Sequence, residues 1–267
     1  MKLSAPIYVL KNQAKDLKKA DGVSFAQALD EIARQEGFAT WSLLMSKRES
    51  LLPESYSDIL DFLNEGDLVL VGARPRVGKT IFAFGLIAQA IEAARPKSHV
   101  FTLVERERDL QKRLGAYADS IGQSEDLCWI DCSDDVSAEY IVGTATDRAE
   151  PGSLIVVDYL QVLDERRSNP PLQDQISQLK EFAKTTGCIM VILSQLDRRI
   201  GDRDDQRPTV ADIRLPNPVD LNLFNKIIFL FRESPEAEEA EVSFASPMSH
   251  NLKVGLDRQR RRFFDLA

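Results

Sequence analysis

The chain has 267 residues, 43% of them hydrophobic and 28% charged, with a net charge of −8 and a pI near 5.0. That length suits one α/β core with a small appendage; no apolar run is long enough for a membrane helix, and the acidic balance gives nucleic-acid binding no bulk support, so any such surface must be local. Three cysteines (Cys128, Cys132, Cys188) without metal-ligand spacing and only two histidines (His99, His250) argue against a zinc centre or a serine–histidine hydrolase. The odd cysteine count and an N-terminus without an apolar signal stretch predict a reduced, cytoplasmic setting.

Residues 1–50 read as a separate helical appendage. Ile7, Leu10, Ala14 and Leu17 recur at helical spacing until Asp21-Gly22 breaks the pattern. Ser24 to Gln27 has the form of a capping box, and Phe25, Ala28, Leu29, Ile32 and Ala33 carry a second stripe to Gly37. Phe38, Trp41 and Leu44 follow. The pattern predicts a helical hairpin too small to be stable alone, expected to pack on the main domain or on a neighbouring subunit.

Residues 51–267 alternate between strand and helix patterns. Strands are predicted near 67–72, 99–104, 127–131, 153–158, 188–193, 225–232 and 251–257, and helices over 79–94, 107–121, 136–149 and 172–187. Connections of helix length between buried strands imply βαβ units and a mainly parallel sheet flanked by helices. Asn169 to Pro171 and Ile200 to Pro208 read as exposed loops, and Glu236 to Glu241 as a solvated acidic segment.

The most informative run is Gly72-Ala73-Arg74-Pro75-Arg76-Val77-Gly78-Lys79-Thr80, between the first predicted strand and its helix. Strand, loop and helix joined through Gly-Lys-Thr is the context of a phosphate-binding loop. Backbone N–H groups of the loop and first helical turn lack internal partners and so accept an anion. Lys79 would place a positive charge on the β- and γ-phosphates of a nucleotide, and the Thr80 hydroxyl would ligate Mg²⁺. Ala73 stands where the strict pattern has glycine. Downstream, Ser153-Leu154-Ile155-Val156-Val157-Asp158 is a buried strand ending in a carboxylate, which is costly unless it meets a cation or water. The Mg²⁺ of a nucleotide would be that partner, making Asp158 a second metal-site residue.

Four blocks then fall in register: Ala73-Arg74-Pro75 with Gly78-Lys79-Thr80, Asp158-Tyr159-Leu160-Gln161, Leu193-Ser194-Gln195-Leu196, and Arg207-Pro208 with Asp212 and Arg214. Together they resemble the RecA-like motor domain of DnaB-type replicative helicases, over about residues 55–265. The resemblance implies a RecA-like P-loop NTPase core in which Ala73 to Thr80 and Asp158 hold ATP and Mg²⁺. It implies that Gln195, at the end of its strand, senses the γ-phosphate. Loops after the Asp158 and Gln195 strands would grip single-stranded DNA through Arg166, Arg167, Arg198, Arg199 and Arg203; neither holds an aromatic residue for base stacking, so binding would be backbone-directed and salt-sensitive.

The departures from the family pattern are specific. Ungapped alignment puts Val104 where the family has its catalytic glutamate, with Glu105 one position later, and Glu105 is assigned as the general base. A one-residue slip reverses side-chain direction in a regular strand; a Glu105 out of reach would leave a protein that binds ATP and turns it over slowly. Near the C-terminus Arg258 matches the family's trans-acting arginine, while Leu256 replaces the companion lysine. Residues 1–50 do not resemble the larger primase-contacting domain of replicative helicases, so a complete replisome motor is not expected. Two readings follow. One is an ATPase acting on single-stranded DNA as a head-to-tail oligomer, expected as a ring with a hexamer among its forms, the sequence leaving the number of subunits open. The alternative is an ATP-dependent assembly switch or interaction protein with weak or no helicase activity, its helical hairpin a surface for a protein partner.

Overall fold

The computed structural model describes residues 4, 7–49, 52–103, 106–118, 128–164, 169–215, 217–246 and 249–266. The chain divides into two compact units, Met1–Glu54 and Ser55–Ala267. The first contains α1 (Ile7–Asp21), α2 (Phe25–Gln35) and α3 (Trp41–Glu49) among the described residues. Its core is Leu10, Ala14, Ala28, Ile32, Ala33, Phe38 and Leu44. The capping box forms as expected: Ser24 Oγ accepts from the Gln27 N–H at 3.2 Å and Gln27 Oε1 accepts from the Ser24 N–H at 3.0 Å. The hairpin expectation needs one correction, because a third helix follows. Its start is fixed by Asp30, whose carboxylate accepts from the Trp41 N–H at 2.8 Å, and Leu44 from that helix closes the small core.

In the second unit, α4 (Ile59–Phe62) precedes β1 (Leu68–Ala73), α5 (Lys79–Glu92), β2 (Ser98–Thr102), α6 (Glu107–Ala118) and β3 (Cys128–Asp131). Then come α7 (Ala138–Ala145), β4 (Leu154–Asp158), α8 (Leu172–Thr186), β5 (Ile189–Gln195), β6 (Lys226–Phe231), β7 (Glu239–Ser246), β8 (His250–Asp257) and β9 (Arg262–Asp265). Among the described residues the strands form one nine-stranded sheet in the order β3-β2-β4-β5-β1-β6-β7-β8-β9. The first six are parallel and the last three add antiparallel. Strands β1 and β4 are buried along their whole length, which is the reason they read as unbroken apolar runs.

The acidic segment is a second correction. Glu239 to Glu241 open β7 rather than a solvated loop, because Ala240, Val242 and Phe244 alternate onto a buried face at 4%, 0% and 1% exposure. Glu241 is paired with Arg207 at 3.1 Å. The short β9 was also missed: Phe263 is its buried anchor, packed on Tyr56 and Phe82 with ring centroids at 5.7 and 5.9 Å. No described helix is long and apolar enough to cross a membrane.

The register aligns the carboxyl ends of four neighbouring strands. Thr102 of β2 lies opposite Asp158 of β4, Asp158 opposite Leu193 of β5, and Gln195 of β5 opposite Ala73 of β1. In an open parallel sheet this edge is where ligands bind.

Candidate nucleotide site

Ala73 explains the first departure from the strict loop pattern. It is the last residue of β1, extended, fully buried and paired with both Gln195 and Leu230, so its position needs no glycine. The left-handed turns come later, at Arg76 (φ 66°) and Gly78 (φ 119°). A Cβ on Gly78 would also sit 3.2 Å from Cζ of Phe263, so both its conformation and its surroundings favour glycine. Gly78 starts α5 without a side-chain cap, which leaves the first-turn N–H groups of a fourteen-residue helix turned toward the loop.

Three side chains of the candidate site converge there. Lys79 Nζ donates to the Ala73 carbonyl at 3.2 Å. The same carbonyl accepts from the Leu196 N–H at 3.2 Å, which joins the loop to the end of β5. Thr80 Oγ1 donates to Asp158 Oδ2 at 3.0 Å, and Asp158 is 5% exposed. Burial pushes the Lys79 pKa below its ordinary value, and the Asp158 charge partly restores it. An amine, a hydroxyl beside a buried carboxylate, and a helix N-terminus form a donor set that fits a nucleotide phosphate chain with a hard divalent cation on its oxygens.

Arg232, at the end of β6, was not singled out from sequence. It is 5% exposed and donates to the carbonyls of Pro235 (2.6 Å) and Ala237 (3.1 Å), with Arg76 and Val77 at 3.4 and 3.5 Å. It therefore braces the phosphate loop from below, as a cation on carbonyl oxygens. Burial and then the nearby Arg258 charge lower its pKa, which leaves a guanidinium charged all the same. The only sequence signal was an arginine directly after the apolar run Ile227 to Phe231. Beside the loop lies a cleft of about 380 Å³ lined by Arg74, Arg76, Arg198, Gln206, Arg232 and Glu233, among others. Arg74 Nη1 donates to Gln206 Oε1 at 2.9 Å, linking the phosphate loop to the segment after β5.

The remaining sequence-assigned residues are less gathered. Gln195 is half-buried at the end of β5. Arg258 is exposed in the turn between β8 and β9. Arg199 is bound to Asp197 at 2.8 Å and Arg203 to Asp212 at 2.9 Å. Arg198 is exposed and forms no ion pair among the described residues. Glu105, Arg166 and Arg167 lie outside the described residues.

Sheet order, loop and carboxylate define a P-loop fold of the RecA-like class. The sequence profile of the DnaB-like helicase C terminal domain matches residues 123–261, slightly more than half of the chain, and the chain belongs to that family. The replicative DNA helicase DnaB of Mycoplasma genitalium is 27% identical over 260 residues, covering 81% of this chain and 54% of the relative. The chain spans about half the length of the curated relatives it matches. Among solved structures, an isolated ATPase domain superposes with a TM-score of 0.66 at 24% identity, covering 84% of this chain and 96% of that one. A DnaB-like replicative helicase studied with primase gives 0.68 at 22% identity, covering 97% of this chain and 77% of that one. These two likenesses concern the fold.

Proposed function

We propose that this chain binds ATP with Mg²⁺ and hydrolyses it as a head-to-tail oligomer on single-stranded DNA. The observation that carries the reading is the Thr80–Asp158 pair at 3.0 Å beside Lys79, beneath the uncapped start of α5. Bound Mg²⁺ would offset charge on the phosphoryl oxygens. Lys79, which donates to the Ala73 carbonyl, would turn its ammonium to the β- and γ-phosphates. Asp158 and Thr80 would hold the metal, and Arg232 ties down the Arg76 and Val77 carbonyls of the loop. Glu105 serves as the base for the attacking water, Gln195 reads the γ-phosphate, and Arg258 completes the site of a neighbouring subunit. Membership of the DnaB-like family, with exposed Arg198 on the segment after β5, supports DNA as the polymer.

The test is ATP hydrolysis with Mg²⁺, with and without single-stranded DNA, across protein concentrations at low salt. Turnover should rise with DNA and more steeply than linearly with protein. Lys79→Ala should abolish nucleotide binding, and Arg166→Ala with Arg198→Ala should remove DNA stimulation while leaving ATP affinity intact. Tight ATP binding with negligible, DNA-indifferent turnover would instead identify an assembly switch.

A further inference from the structure

The Gln161 carboxamide lies where three parts of the candidate site meet. It follows Asp158 by three residues, in a short 3-10 turn over Leu160–Asp164, and is 8% exposed. Its Nε2 donates to the Gln195 carbonyl at 3.1 Å and to the Arg214 carbonyl at 2.8 Å, with Ser194 Oγ at 3.3 Å. Its Oε1 accepts from the Gln195 N–H at 3.3 Å. A carboxamide offers two donor hydrogens and one acceptor oxygen. Here both ends engage the main chain of the last residue of β5, so one side chain fixes the backbone from which Gln195 projects.

Arg214 belongs to a different part of the molecule. The segment between Gln195 and Arg214 carries Arg198, Arg199 and Arg203, and its two ends are tied together. Leu196 and Ile213 form an antiparallel bridge, and the Asp197 N–H donates to the Asp212 carbonyl at 2.9 Å. Arg203 donates to Asp212 at 2.9 Å, holding the middle of the loop to its exit. A loop closed in this way moves largely as a unit. Displacing it shifts the Arg214 carbonyl, and through Gln161 the shift reaches the Gln195 main chain and the turn that follows Asp158.

We infer that Gln161 is a positioning residue that couples occupancy of the arginine loop to the placement of Gln195, and so links nucleic-acid binding to nucleotide turnover. This rests on the ATPase reading above. Among the described residues Gln161 has hydrogen bonds to Ser194, Gln195 and Arg214, and none to the phosphate loop or to Thr80. Its loss acts on turnover in the DNA-bound state rather than on the affinity for ATP.

The experiment compares wild type with Gln161→Leu for ATP KM and kcat, each with and without a single-stranded oligonucleotide, alongside thermal unfolding of both proteins. The expected result is an unchanged KM and a DNA stimulation ratio reduced by roughly 2- to 30-fold, the range for residues that modulate coupling between sites. A stimulation ratio equal to wild type, with only a lower melting temperature, overturns the inference and leaves the ATPase reading standing. If Gln161→Leu does not fold, Gln161→Asn keeps the amide but withdraws it by one methylene, and the same comparison decides. A wild type that hydrolyses ATP without DNA stimulation overturns the reading and the inference together.

Discussion

His99 is a histidine held neutral by its surroundings. The residue is 4% exposed, its ring stacks on Phe101 at 4.6 Å, and its Nε2 has no hydrogen-bond partner among the described residues. Burial, and then the Arg148 charge, push its pKa down from 6.5 to about 4, against the opposing pull of Asp131. The unfolded chain therefore takes up the proton first as pH falls. Stability associated with the neutral ring is complete above the ordinary value of 6.5 and is lost progressively toward about 4. His99→Phe should lose less melting temperature than wild type between about pH 7 and pH 5, the window in which an unperturbed histidine charges. Parallel pH profiles for the two proteins would show that His99 does not contribute. At this scale the Thr80–Asp158 pair was legible because each residue stands at a fixed offset from a strand end. Gln161 was visible as the end of the Asp158-Tyr159-Leu160-Gln161 block, but its partners were not, and Arg232 was not singled out at all, since a polar side chain gives no indication in sequence of which distant carbonyls it will meet.

Among the elements, β1 is tied at both ends. At its carboxyl end Ala73 meets Lys79, and at its start Asp67 pairs with Lys226 of β6, both residues being at most 5% exposed. The ammonium of Lys226 also lies 4.8 Å from the Phe62 ring centroid. Removing one partner of a buried ion pair leaves the other uncompensated, so Lys226→Met should cost about 3–5 kcal/mol in chemical denaturation. Asp67→Asn combined with Lys226→Met should recover much of that loss. On α5, a Cβ at Gly85 would run into the Tyr56 hydroxyl, whose ring packs on Phe82 at 5.7 Å. Gly85→Ala should therefore destabilise the fold by about 1–3 kcal/mol despite its higher helix propensity, measurable in the same denaturation series. The central parallel strands could be read within a residue or two because burial on both faces makes them uniformly apolar. Strands β7 and β9 could not: charged Glu239 and Glu241 share β7 with its buried residues, and Arg262-Phe263-Phe264-Asp265 is too short to show an alternation.

At the scale of the whole molecule, each of the two units has its own apolar core, the smaller built on Leu10, Ile32 and Leu44 and the larger on strands such as β1, β4 and β5. A chain starting at residue 55 should therefore keep ATP affinity within about twofold of the full chain by equilibrium titration, since the candidate site is built from the larger unit. Arg258 bears on assembly. Arg258→Ala and Lys79→Ala should each be inactive alone, yet mixtures should recover part of the turnover, because an arginine acting in trans would meet an intact loop at mixed interfaces. No recovery at any mixing ratio would assign Arg258 to its own subunit, where it already lies within electrostatic reach of Arg232.

The three thiols differ sharply in access. Cys128 and Cys188 are buried, their pKa values pushed up to about 12 and about 11, whereas Cys132 is exposed just past the carboxyl end of β3. An inert thiol pair and one accessible thiol give this chain a built-in attachment point for a fluorophore. Residual burial and the Glu107 and Asp131 charges also raise the Cys132 thiol, so it is exposure that singles it out, and maleimide at mildly alkaline pH should add one label to the native protein, at Cys132, by mass spectrometry. That dye would stand on the same edge of the sheet as Thr102 and Asp158, so its emission could report nucleotide arrival in wild-type protein, with no engineered cysteine.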